Sequence, residues 1–219
     1  AIPHNGNVSG GLMYARTDFD GGVLDAAHAE RRNRNEPLSE IMQVKGTSET
    51  HPALSPEDEF AGFEIFDQLL AQKITPSAPK GSYARDALKT GLELEASLGV
   101  NPFDFGMIGS SDTHNSAPPI EEDNYHGKLT QLDGTAEMRA ARRTRSAEAK
   151  AAGRETTYSA AGLAAVWADA NTREAIYDAL RRKETFATSG TRIGLRFFGG
   201  WDFAPGLVQA QDFVAQAYA

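Results

Sequence analysis

Hydrophobic positions along this chain follow two periods. Short apolar runs bounded by glycine or polar loops indicate strands, and stretches with apolar residues three and four apart indicate helices. "AIPHN" has the pattern of a buried strand's end and opens into the glycine-rich loop "GNVSGG". Residues 22–33, "GVLDAAHAERRN", place Val23, Ala26, Ala27 and Glu30 at helical spacing and end in a polar cluster before Pro37. Residues 39–46, "SEIMQVKG", form a short β-type run closed by glycine.

"SPEDEFAGFEIFDQLL" carries helix-start signals. Ser55 is placed to cap, Pro56 takes the first helical position, and acidic residues fill the first turn, with Phe60, Phe63, Ile65, Phe66 and Leu69 as the apolar side. "SYARDALKTGLELEASLG" predicts a second helix with Ala84, Ala87, Leu88, Gly91 and Leu92 on one face and Gly99 as its stop. "FGMIGSSDTH" is a buried strand emptying into a polar loop. Pro118, Pro119 and "EEDN" mark a long loop, and residues 135–153 an exposed helix. Next, "TREAIYDALRRKETFAT" is an amphipathic helix running into a short strand, with Thr172 as cap and Ala175, Ile176, Ala179 and Leu180 facing inward. "RIGLRFFGGWDF" reads as a strand and turn, and "FVAQAYA" as an element cut in mid-run.

Strand and helix alternate, which is the α/β signature. Ligands in such folds sit beyond the carboxyl ends of the strands. No internal repeat or low-complexity linker interrupts the chain, so it reads as one domain over residues 1–219.

Composition narrows the chemistry. The formal net charge of -8 argues against a nucleic-acid backbone as partner, and the basic stretch from Met138 to Arg154 is interspersed with alanine and reads as a solvated helix face. No apolar run approaches a membrane span, and no signal peptide is visible. The absence of cysteine excludes disulfides, thiolate catalysis and Cys-ligated zinc, and fits cytoplasm and periplasm equally; compartment and oligomeric state stay unknown. Any metal is left to histidine and carboxylate.

Three of the five histidines, His4, His51 and His114, fall at or just beyond strand ends. Residues two apart in an extended segment point to the same side, so Asp112 and His114 present a carboxylate and an imidazole to one point, a pair of ligands suited to Zn, Mn or Fe. Asp112 as a turn cap, His114 as a surface residue and His51 as a loop residue before Pro52 are the plainer alternatives. His28 lies within a helix and reads as solvated. His126, in "NYHGK" beside Lys128, is a candidate for reaching a substrate anion from the long loop.

"AIPHNGN", "EIMQVKGTSETHP" and "FGMIGSSDTHN", with "GSYARDALKTGLELE", "HGKL", "RKETFATSGTRI" and "RFFGGWDF", resemble the domain of unknown function 3604 family within the polymerase and histidinol phosphatase (PHP) superfamily, over almost the whole chain. The resemblance implies a distorted TIM-like β/α barrel with two or three divalent metal ions at the C-terminal ends of its strands. His4 matches the superfamily's strand-closing histidine, Asp112 and His114 its late Asp-x-His, and His51, with a looser local motif, its intermediate histidine. The early His-x-His and glutamate have no counterpart, which implies that the chain is the later part of such a barrel, cut at both ends.

The resulting expectation is a metal-dependent hydrolase, with phosphoesters as leading substrate class and a small anionic molecule as partner. Asp112 and His114 are its catalytic candidates, Asp112 as proton acceptor from water. Arg16 and Lys128, by loop position, are candidates for offsetting substrate charge. The fragment alone is expected to be inactive. An amidohydrolase-type C–N or C–O hydrolase and a non-catalytic binding module remain as alternatives.

Overall fold

Pro37 separates the polar end of the first helix from strand β1 (Leu38–Gln43), in which every residue except Ile41 is buried. A strand covered on both faces belongs inside a sheet, beside a parallel neighbour. The computed structural model, which describes residues 1–70, 75–114, 159 and 161–218, places it so. β1 pairs in parallel with β3 (Gly106–Gly109), matching Leu38 to Gly106 and Glu40 to Ile108, and the register shifts between Glu40 and Met42. β2 (Gly46–Thr47) folds back antiparallel on the end of β1. The first residues run beside β1 in the same direction: the Ala1 amine donates to the Asn35 carbonyl, and Glu40 N–H donates to the Pro3 carbonyl at 3.0 Å.

Helix α1 (Ala26–Asn35) is capped by Asp25, whose side chain accepts from His28 N–H. Helix α2 (Ala84–Leu98) packs Ala84, Ala87 and Leu94 into a core with Tyr14, Leu24, Phe103 and Phe105, against which Ile41 of β1 lies. Gly99, with φ 78°, ends α2 in the left-handed region that glycine enters without penalty.

β4 (Ala164–Val166) and β5 (Thr185–Ala187) form an antiparallel pair, with α3 (Arg173–Arg181) between them in sequence. This unit lies against β3 so closely that a Cβ on Gly109 would stand 2.9 Å from the carbonyl oxygens of Leu163 and Thr188. A short helix α4 (Phe213–Tyr218) follows. Among the described residues no helix is long and apolar enough to cross a membrane.

Several expectations need correction. The helix predicted over residues 22–33 starts at Ala26, because Gly21 and Gly22 are held in a turn by hydrogen bonds to Asp18; Val23 is exposed and Ala29 is the buried residue. The helix predicted from Ser55 is absent. Residues 54–63 form successive turns closed by bonds such as Ala61 N–H to the Asp58 carbonyl and Phe63 N–H to the Phe60 carbonyl, and Glu64 takes a positive φ of 50°. Phe66 is buried, but Phe60 and Phe63 are exposed, so the apolar spacing is not a single face. On α2 Leu92 faces solvent, while Thr90 and Leu94 are buried.

Residues 192–203, predicted as a strand and turn, join no strand ladder among the described residues, and β4 was not foreseen. Phe213–Tyr218, read as an element cut in mid-run, is the helix α4. The α3 cap is as expected, Thr172 Oγ1 accepting from Ala175 N–H, and Ala179 is its buried residue. The predicted loop at Pro118 and helix over 135–153 lie outside the described residues.

Candidate functional site

Glu40 is a carboxylate inside a buried strand, 7 % exposed, and such a group needs partners. It has two. His4 Nδ1 stands 2.7 Å from Glu40 Oε1, and the Ser110 hydroxyl donates to Oε2. The bond from Glu40 N–H to Pro3 O fixes the neighbouring backbone, so His4 is delivered to this strand by both main chain and side chain.

His4 Nε2 then faces Asp112 Oδ1 at 3.8 Å, and His114 Nε2 approaches the same oxygen at 3.1 Å. Asp112 follows the exit of β3 and takes a φ of 51°, a left-handed conformation unusual outside glycine that aspartate tolerates better than most residues. Its other oxygen, Oδ2, is paired with the Lys45 ammonium. The two carboxylates and the ammonium form the floor of the site, with side chains 6–8 % exposed, while the imidazoles of His4 and His114 stand at the rim, 44 % and 53 % exposed.

Lys45 reaches Asp112 because the β1–β2 turn carrying it is held from three directions. Its N–H donates to Gln43 Oε1 at 2.6 Å, its carbonyl accepts from the fully buried Asn7 amide at 2.8 Å, and Gln43 Nε2 donates to Asn5 Oδ1 at 2.6 Å. The loop after His4 is thus tied to the turn that bears Lys45.

Of the other sequence candidates, His51 and Arg16 are engaged with other residues. His51 Nδ1 accepts from Ala53 N–H at 3.1 Å, its Nε2 faces Asp67 at 3.8 Å, and its ring rests against Tyr83, centroids 5.5 Å apart. Burial, reinforced by Asp67, pushes the Tyr83 phenol well above its ordinary value. Arg16 is taken up in an exposed ion pair with Glu93 on α2. His126 and Lys128 lie outside the described residues.

Imidazole nitrogen and carboxylate oxygen around Asp112 fit a divalent transition metal in kind. As placed, the side chains are hydrogen-bonded and ion-paired with one another; among the described residues no three His, Asp or Glu side chains form a group able to hold an ion.

Sequence reasoning missed Glu40, Lys45 and Ser110. A signal for the first was present, since a carboxylate at the centre of "LSEIMQ" interrupts an otherwise buried strand. Nothing local marked Lys45, whose partner is 67 residues away.

No curated protein and no solved structure matches the chain. A family model does, over residues 1–219, and on that match the chain belongs to the proteins of unknown function DUF3604.

Proposed function

We infer that the cluster around Asp112 is part of the centre of a metal-dependent hydrolase on a PHP-like β/α barrel, with phosphoesters as its leading substrate class. The observation that carries this reading is the convergence of His4 and His114 on one oxygen of Asp112, from segments far apart in sequence. His4, Asp112 and His114 would contribute ligands to the metal once drawn out of the contacts that now join them. When bound, a divalent ion lowers the pKa of a water and polarises a substrate oxygen.

The chain's own groups have distinct tasks in this reading. Glu40 accepts from His4 Nδ1, which leaves Nε2 directed at Asp112, and Ser110 holds Glu40 in turn. Lys45 neutralises Asp112 at its second oxygen and holds that carboxylate on the floor of the site. Asp112 is the proton acceptor.

A non-catalytic binding module has one observation in its favour, namely that Lys45 already occupies Asp112. Titration calorimetry with Mn²⁺ and Zn²⁺ separates the two readings. Binding that is lost in Asp112→Ala with His114→Ala supports the metal centre, and no binding in the wild-type chain overturns it. Turnover of p-nitrophenyl phosphate against an anilide, with the metal that binds present, then distinguishes phosphoesters from amides.

A further inference from the structure

The imidazole of His4 is exposed at the rim of the Asp112 cluster, so packing does not hold the ring. What orients it is the Glu40 carboxylate at Nδ1 and the course of the main chain on either side. Upstream, the Pro3 carbonyl accepts from Glu40 N–H. Downstream the chain turns at once: Asn5 takes φ 64° and ψ 39°, and Gly6–Val8 follow as a buried turn of 3-10 helix.

Glycine enters this left-handed region freely and other residues at a cost, although asparagine tolerates it better than most. A side chain kept at such a position points to a use for it. Asn5 has one. Its Oδ1 accepts from Gln43 Nε2 at 2.6 Å, and the other end of the same carboxamide, Gln43 Oε1, accepts from Lys45 N–H at 2.6 Å. Gln43 is itself buried on β1, so this link is fixed to the sheet. The residue after His4 and the residue Lys45 are thereby joined through one side chain, and His4 and Lys45 face the two oxygens of Asp112.

We propose that Asn5 is a positioning residue for this centre: its carboxamide, held by Gln43, fixes the turn that keeps His4 Nδ1 on Glu40 and Nε2 towards Asp112. The inference rests on the metal-centre reading for its purpose, whereas the aim of the ring is a property of the chain alone. Groups behind a ligand matter because they set its tautomer and direction. Asn7, two residues on, is fully buried among the carbonyls of Lys45 and Phe66 and belongs to the framework; Asn5 is half-buried, and its side chain can be changed without opening the core.

The test uses the full chain with nitrogen-15 ring-labelled histidine, free of metal at pH 8, where ring-nitrogen shifts report the tautomer of each neutral imidazole. His4→Gln identifies the His4 signals. The Nδ1–H tautomer is expected for His4 in the wild-type chain. Asn5→Gly takes the same backbone angles and removes only the carboxamide, so it should unfold near the wild-type midpoint. It should nevertheless show the averaged ring signals of an unrestrained imidazole, and bind Mn²⁺ or Zn²⁺ about tenfold or more weakly by calorimetry. Asn5→Asp, which retains an acceptor for Gln43 Nε2, should restore the wild-type tautomer. Four results overturn the proposal: a wild-type His4 that is not Nδ1–H, wild-type ring signals or undiminished metal affinity in Asn5→Gly, failure of Asn5→Gly to fold, which would make the carboxamide part of the framework, and failure of Asn5→Asp to restore the tautomer. Absence of metal binding in the wild-type chain overturns the metal-centre reading alone, and the ring signals then decide on Asn5.

Discussion

The Lys45 ammonium rests on the Asp112 carboxylate, and both side chains are almost completely withdrawn from solvent. The turn that carries Lys45 and the strand exit that carries Asp112 are thereby joined at the floor of the candidate site. Removing one partner strands a buried charge, whereas removing both does not.

A double-mutant cycle follows from this pair. Lys45→Met and Asp112→Ala should each destabilise the chain by about 3–5 kcal/mol, and the double variant by clearly less than their sum. Urea midpoints at pH 7 measure it. Additive losses would show that the two groups are not coupled.

Alkaline pH should act through Tyr14. Its phenol is buried in the core, chiefly by which its pKa is pushed up from 10.0 to about 12. The folded chain therefore holds this proton more tightly than the unfolded chain. The stability it contributes is complete below pH 10 and is lost as pH rises towards 12, amounting to roughly 2–3 kcal/mol. Tyr83 shifts in the same direction, so Tyr14→Phe should reduce this alkaline loss without abolishing it. Unfolding midpoints from pH 9 to 12 report the difference.

The same two phenols should respond oppositely to loss of the hydroxyl at neutral pH. Tyr14 hydrogen-bonds the fully buried Ser39, so Tyr14→Phe leaves Ser39 unsatisfied and costs about 1–3 kcal/mol. Among the described residues the Tyr83 hydroxyl has no partner, and Tyr83→Phe should stabilise by about 1 kcal/mol. Thermal unfolding of the two variants side by side gives the signs directly.

Two glycines with nearly equal backbone angles test whether space or conformation dominates. Gly46 has φ 85° and Gly21 φ 84°, but a Cβ on Gly46 would lie 2.4 Å from the Glu64 carbonyl, whereas nothing lies within 4 Å at Gly21. Gly21→Ala should cost about 1 kcal/mol, from conformation alone. Gly46→Ala must also displace the chain at Glu64, and should cost at least about 2 kcal/mol more. Equal losses would mean that the Glu64 segment yields freely.

What the sequence determined by itself was local. Helix α2 with its Gly99 stop, the Thr172 cap of α3, the strand in "FGMIG" and the Asp-x-His at its exit depend on residues a few positions apart, and their spacing was enough to read them. Tertiary structure decided the rest. The apolar run from Ser55 had every local helix signal, yet the chain there closes into turns, with Phe66 buried and its main chain hydrogen-bonded to Asn7 far upstream. His4 meets Glu40, Lys45 meets Asp112, and Ser110 meets Glu40 across separations of 36 to 70 residues. No periodicity encodes such meetings. They arise because β1 and β3 lie side by side in parallel, and a parallel pair brings together segments that the chain itself keeps apart.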